Sequence, residues 1–227
     1  MCGRFAFYSP REAITEIFDV EFPLELEPRF NISPTQYIVT LRRPDNDNQH
    51  LAIEPVLMRW GLIPSWSKDP RIGSRMINAR AETVDKKPSF RSAFKRRRCV
   101  ILADGFFEWR RRGDEKIPYF ISLKNAQPFA MAGLWERWSG EDSPIETCTI
   151  ITTAANGVMT ELHDRMPVIL STEHARRWVD VTDNSVEALR SLLIPADDEL
   201  LQFWEVSRSV NNSRNDGPEL IESSQHN

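Results

Sequence analysis

Cys2 is the first residue whose chemistry stands out. A small side chain at position 2 favours removal of Met1, and the product is an N-terminal cysteine with an amine and a thiol on adjacent carbons. The reference pKa values are about 8 for the amine and about 8.5 for the thiol, so roughly a tenth of the amine is unprotonated at neutral pH. Such an amine adds to an aldehyde to give an imine. The neighbouring thiol then closes on the imine carbon to form a thiazolidine. The second step is intramolecular, and well-oriented steps of that kind reach effective molarities of about 10⁵ M or more. Taken alone, Cys2 also reads as nothing more than a small second residue.

Four further stretches set reactive polar groups in apolar surroundings: Ile77–Thr83 (INARAET), Ala103–Trp109 (ADGFFEW), His163–Leu170 (HDRMPVIL) and the aromatic Arg59–Trp66 (RWGLIPSW). Glu108, between Phe107 and Trp109, is a carboxylate suited to moving protons in imine chemistry. His163 supplies an imidazole, the side chain that ordinarily titrates closest to neutrality. Each has a plainer reading, Glu108 as an edge-strand surface charge and His163 as a cation at a helix C-terminus.

These groups need a scaffold. Ser9-Pro10-Arg11-Glu12 has the form of a capping box, opening a helix with Ile14, Ile17 and Phe18 on one face. Strands are predicted over 37–42, 51–60, 99–103, 106–111, 117–123, 129–135 and 147–153, with a hairpin turn at Gly113-Asp-Glu-Lys116. Short helices are predicted over 89–96, 156–162, 172–179, with Ser171 as cap, and 185–193. Many strands, few helices and no regular βα alternation predict an α+β fold with an antiparallel sheet. No linker divides the chain, which reads as one domain over 1–222 with a polar tail at 223–227. Residues after about Asn211 turn polar and read as loosely held.

The 227 residues include 41% hydrophobic and 10% aromatic side chains, enough for a packed core. Three cysteines without a CxxC pair, and four scattered histidines, argue against a disulfide framework or a zinc site. No signal-peptide pattern and no apolar run of membrane-spanning length occur, so the expected location is cytoplasmic, at the nucleoid when DNA is bound. Net charge is −4, yet Lys68–Lys116 carries 15 Lys and Arg against 7 Asp and Glu. That local excess can form a basic face on an acidic body. The run Lys95-Arg-Arg-Arg98 reads equally well as a nucleic-acid contact and as a surface facing water.

The five motifs, in this order from Cys2 to Val206–Ile221 (VSRSVNNSRNDGPELI), resemble the SOS-response-associated peptidase (SRAP) family of abasic-site processing proteins. The resemblance implies a curled, barrel-like antiparallel sheet core with peripheral short helices. It also implies covalent capture of abasic sites in single-stranded DNA through a Cys2 thiazolidine, which shields the lesion. Cys2 matches the nucleophile, and Asn78 the residue that orients its backbone and the sugar remnant. Glu108 matches the carboxylate beside the α-amine, and His163 the imidazole near sugar and phosphate. Arg4, Arg80 and Arg165 match phosphate-binding positions. Trp66 matches a base-stacking aromatic, although the family often has two adjacent tryptophans and here Ser67 follows. No metal or cofactor is implied, and one subunit suffices. Two alternatives stand beside it: a cysteine peptidase acting on its own N-terminal segment, with lyase activity through a Schiff base, and a non-covalent reader of damaged single strands.

Overall fold

The computed structural model describes residues 2–22, 25–44, 52–140, 143–182 and 185–224. Its strands are β1 (Phe5–Phe7), β2 (Arg29–Ile32), β3 (Tyr37–Arg42), β4 (Glu54–Trp60), β5 (Asn78–Arg80), β6 (Arg98–Ala103), β7 (Gly105–Arg112), β8 (Glu115–Leu123), β9 (Phe129–Ser139), β10 (Pro144–Ala154), β11 (Arg165–Pro167), β12 (Ile169–Leu170) and β13 (Leu201–Glu205). The helices are α1 (Arg11–Phe18), α2 (Arg91–Arg96), α3 (Thr172–Val179) and α4 (Val186–Ser191).

The larger sheet runs β11-β10-β4-β3-β6-β9-β12, and a further β9–β10 pairing closes five of its strands into a ring. Pairing is antiparallel except where β10 runs parallel to β4 and to β5. The second sheet, β13-β8-β7-β1-β2, is antiparallel throughout. One apolar core joins the two sheets: Phe5, Phe106, Ile121 and Leu201 from the second pack in the same cluster as Trp60, Ile101, Met131 and Ile150 of the first. The α+β, single-domain, barrel-like architecture is therefore the one the chain adopts.

Burial explains the strand sequences. All six residues of β6 and the first eight of β9 are buried, so they read as continuous apolar runs rather than alternating ones. Helix α3 packs against both, and its Trp178 indole N–H is shared between the carbonyls of Cys99 and Gly133, each at 3.0 Å. Ser171 and Ser185 cap α3 and α4 through their side chains, and Ile14 and Phe18 of α1 are buried with Ile17 beside them.

Several expectations are corrected. Ser9 does not cap α1, because its hydroxyl donates to the buried Asp104, which also accepts the Tyr8 and Ser9 N–H groups. Pro10 then occupies the cap position with no side-chain bond. The hairpin turn is only Gly113-Asp114, with Gly113 at φ +62°, the kind of backbone a two-residue hairpin loop demands. Glu115 and Lys116 belong to β8. Residues 156–162 form only a short 3₁₀ turn, Met159–Glu161. The basic run 95–98 is not a uniform surface: Arg98 is buried and donates to the carbonyls of Phe94, Lys95, Trp178 and Asp180, while Arg97 pairs with Glu136 at 2.8 Å. The segment after Asn211 is held, not loose. Asn31 Nδ2 donates to the carbonyls of Val210, Asn212 and Asn215, and Asp216 accepts the N–H groups of Phe30 and Asn31. Ser223 pairs with Val206 and the Ser224 hydroxyl donates to Glu205, so the first two residues of the expected tail are docked. Leu51 and residues 225–227 lie outside the described residues.

Candidate active site

The short strand β1 threads the chain start between β2 and β7. Phe5 lies opposite Phe106, Ala6 opposite Gly105, and Phe107 N–H donates to the Arg4 carbonyl at 2.9 Å. Continuing that register sets Gly3 across from Glu108, with Cys2 immediately beside. Gly105 lets β8 pack close on the other side of β7, since a Cβ there would lie 2.2 Å from the Phe120 ring and 2.7 Å from the Ile121 carbonyl oxygen.

Cys2 is fully buried. Its carbonyl accepts a 2.8 Å hydrogen bond from Asn78 Nδ2, and its thiol points to the Arg4 carbonyl at 4.0 Å. Asn78 stands on β5, beside Ile150 of β10, so the barrel wall fixes the group that orients Cys2. Burial, and after it the Glu108 charge, push the Cys2 thiol far above its ordinary range. A thiol held protonated by burial is a weak nucleophile.

Glu108 is 3% exposed, which excludes the edge-strand surface reading: β7 is an inner strand between β1 and β8. Glu108 and His163 line one cleft of about 440 Å³, with Trp109, Arg111, Lys116 and Asn211. His163 follows the 3₁₀ turn, its N–H donating to the Met159 carbonyl at 2.9 Å. Its Nδ1 faces both the Arg165 N–H at 3.0 Å and Asp164 Oδ1 at 2.8 Å.

The arginines separate into two kinds. Arg80 is exposed on β5, opposite Thr152 of β10. Arg165 grips the Glu82 carboxylate through both terminal nitrogens, at 2.6 and 3.1 Å, and also donates to Thr152. That bond to Arg165 is the main reason the Glu82 carboxyl sits below its usual range. Arg4 is turned inward, donating to Asn31 Oδ1 at 2.6 Å and the Val210 carbonyl at 2.9 Å. Trp66 is 61% exposed on a loop that the Trp138 indole clips by donating to the Ser67 carbonyl at 2.7 Å.

Sequence reasoning misses Asn31, Arg111, Lys116 and Asn211. Asn31 and Asn211 act over long range: the Trp109 indole donates to Asn211 at 2.7 Å, and Asn31 and Asn211 lie 180 positions apart. The one available signal was Asn31, a polar residue between the apolar Phe30 and Ile32 of a strand. Among the described residues no group of three His, Cys, Asp or Glu side chains is placed to hold a metal ion, and no helix is long and apolar enough to cross a membrane.

Comparison with known proteins agrees with this arrangement. Residues 1–213 match the family described as SOS response associated peptidase (SRAP). The chain is 44% identical to the abasic site processing protein YoaM of Bacillus subtilis, over the full length of both. It is 35% identical to the abasic site processing protein YedK of Escherichia coli, covering 98% of this chain and 99% of that one. A crystal structure of a Bacteroides thetaiotaomicron protein superposes with a TM-score of 0.85 at 26% identity, over 98% of this chain and all of that one. With residues 1–213 matched by the family, its fold shared and relatives matched end to end, the chain belongs to the SOS response associated peptidase (SRAP) family.

Proposed function

We propose that this protein captures abasic sites in single-stranded DNA by forming a thiazolidine between Cys2 and the open-chain sugar aldehyde. The observation that carries the reading is the buried Cys2, its carbonyl held by Asn78, beside an inward-facing Glu108 that shares a cleft with His163. The names of the matched relatives attach abasic site processing to those proteins, and similarity over the whole chain supports the same reading here.

Removal of Met1 turns the Cys2 backbone nitrogen into a free amine. The abasic sugar rests largely as a closed hemiacetal, and His163 opens it by moving a proton between ring oxygen and hydroxyl. The amine attacks the aldehyde carbon to give a carbinolamine. Glu108 takes a proton from nitrogen and delivers one to the departing hydroxyl, so water leaves and the imine forms. The thiol then adds across the C=N bond: sulfur bonds to carbon, its proton passes to nitrogen, and the ring closes. The products are one thiazolidine and one water. Burial of the thiol delays its attack until the imine has formed beside it, and the ring resists hydrolysis better than the imine alone. Arg80, Arg165 and Trp66 serve the flanking phosphates and bases, and the cross-link shields the lesion from cleavage.

The test is a denaturing gel with an oligonucleotide whose single uracil has been excised. Wild type gives a band shifted by one protein mass. Cys2→Ala, and protein retaining Met1, give none. A wild-type lane holding only free protein would leave a non-covalent reader in place of covalent capture. Peptide hydrolysis without DNA would restore the cysteine peptidase, which the protonated, buried thiol argues against.

A further inference from the structure

Arg111 of β7 and Lys116 of β8 face each other directly across the hairpin ladder. Like charges directly opposite one another on a sheet destabilise it. Neither side chain forms an ion pair or hydrogen bond, and both are exposed. Glu115, next to Lys116 in the chain, is engaged by Arg208 at 3.2 Å. By strand alternation Arg111 and Lys116 share a face with Trp109, whose indole is fixed by Asn211. All four of these residues line the cleft that holds Glu108 and His163. An uncompensated cation pair at the mouth of a reactive cleft calls for an anion from outside.

We infer that Arg111 and Lys116 together form a phosphate-binding clamp for the DNA strand flanking the lesion. Arg111 lies three positions beyond Glu108 on β7, about 10 Å along the strand. The clamp therefore takes a neighbouring phosphate, not the one at the reacting sugar, and it sets the direction in which the strand leaves the cleft. The inference rests on the single-stranded DNA reading. It adds a contact beyond Arg80 and Arg165.

The experiment measures non-covalent affinity for an undamaged thymidine oligonucleotide as a function of salt, beside cross-linking of an abasic oligonucleotide. Each phosphate contact with a single strand contributes about 0.7 to the slope of log K against log salt. The double variant Arg111→Gln/Lys116→Gln is expected to lower that slope by about 0.7 to 1.4. Its melting temperature should be no lower than that of wild type, because the repulsion is gone. Arg111→Lys, which keeps the charge, should retain the slope. An unchanged slope in the double variant overturns the clamp while covalent capture stands. Wild type that binds the oligonucleotide yet forms no denaturant-resistant band overturns the covalent reading alone. Absence of any single-strand binding by wild type overturns both.

Discussion

At the scale of single residues, burial decides which atoms are reactive. Cys2, Cys99 and Cys148 are all fully buried, and burial raises all three thiols far above the ordinary range. For Cys2 this bears on the proposed capture, in which the amine attacks before the sulfur. For Cys99 and Cys148 it has a consequence for stability. A group whose folded pKa lies above its unfolded one contributes fully below the unfolded value, about 8.5 for a thiol, and loses that contribution as pH climbs toward the folded value. Between those limits the unfolded chain sheds protons that the folded chain keeps. Each buried thiol then costs up to about 1.4 kcal/mol of stability per pH unit. Urea unfolding from neutral to alkaline pH should show a steep decline beginning near pH 8.5. The variant Cys99→Ala/Cys148→Ala should decline less steeply, by up to about 2.7 kcal/mol per pH unit. Equal slopes in the two proteins would mean that these thiols are not protonated by burial. The two residues are suitable because neither lines the cleft.

At the scale of elements, the site depends on contacts that no local pattern encodes. The segment from Val206 to Asp216 closes over the chain start because Asn31 and Arg4 hold it. Asn31 Nδ2 reaches three of its carbonyls, while Asn31 Oδ1 accepts from Arg4, which also reaches the Val210 carbonyl. Asn31→Ala removes that hub and leaves buried polar groups unpaired, at a cost of about 2–4 kcal/mol. Amide exchange should accelerate over 208–216 well before the barrel strands, and cross-linking should slow because Asn211 loses its place beside Trp109. Uniform acceleration across the whole chain would show that the segment is not a separate unit. This element also marks the limit of what the sequence reveals. Strands such as β3 and β6 are legible because β-branched and apolar runs end at turn residues, and the Ser171 cap is legible because capping is local. The contact of Asn78 with Cys2 and the cleft that Glu108 shares with His163 join residues that the sequence picked out only through the family resemblance. The tethering of residues after Asn211 is not legible, since a polar stretch looks the same whether it is solvated or bonded to a distant asparagine. The Ser9 misreading has a similar cause: a valid local cap lost its hydroxyl to Asp104, 95 positions away.

At the scale of the whole molecule, ring closure and chemistry are linked by one row of the sheet. Cys99 on β6 lies opposite Gly133 on β9, Gly133 opposite Ile150 on β10, and Ile150 beside Asn78 on β5. Asn78 in turn holds the Cys2 carbonyl. Gly133 is where this row is tightest: a Cβ there would meet Ile101 Cδ1 at 2.2 Å, the Thr149 carbonyl oxygen at 3.0 Å and Cys99 Sγ at 3.2 Å. Its carbonyl also accepts the Trp178 indole, so helix α3 limits movement outward. Gly133→Ala should cost about 1–3 kcal/mol by overpacking. Because the strain has nowhere to go but along the row, it should also slow cross-linking through Asn78. Shortening the nearest neighbour tests the mechanism. Ile101→Val removes Cδ1 and alone costs about 0.5–1.5 kcal/mol. In that background Gly133→Ala should cost less than it does in wild type, because the closest contact is gone while the Thr149 and Cys99 contacts remain. The coupling between the two substitutions, read from a double-mutant cycle in urea, should be at least about 0.5 kcal/mol in the rescuing direction. Strict additivity would mean that the ring does not close tightly at Gly133. Cross-linking restored in the double variant together with stability would tie the packing of the barrel wall to the orientation of the nucleophile.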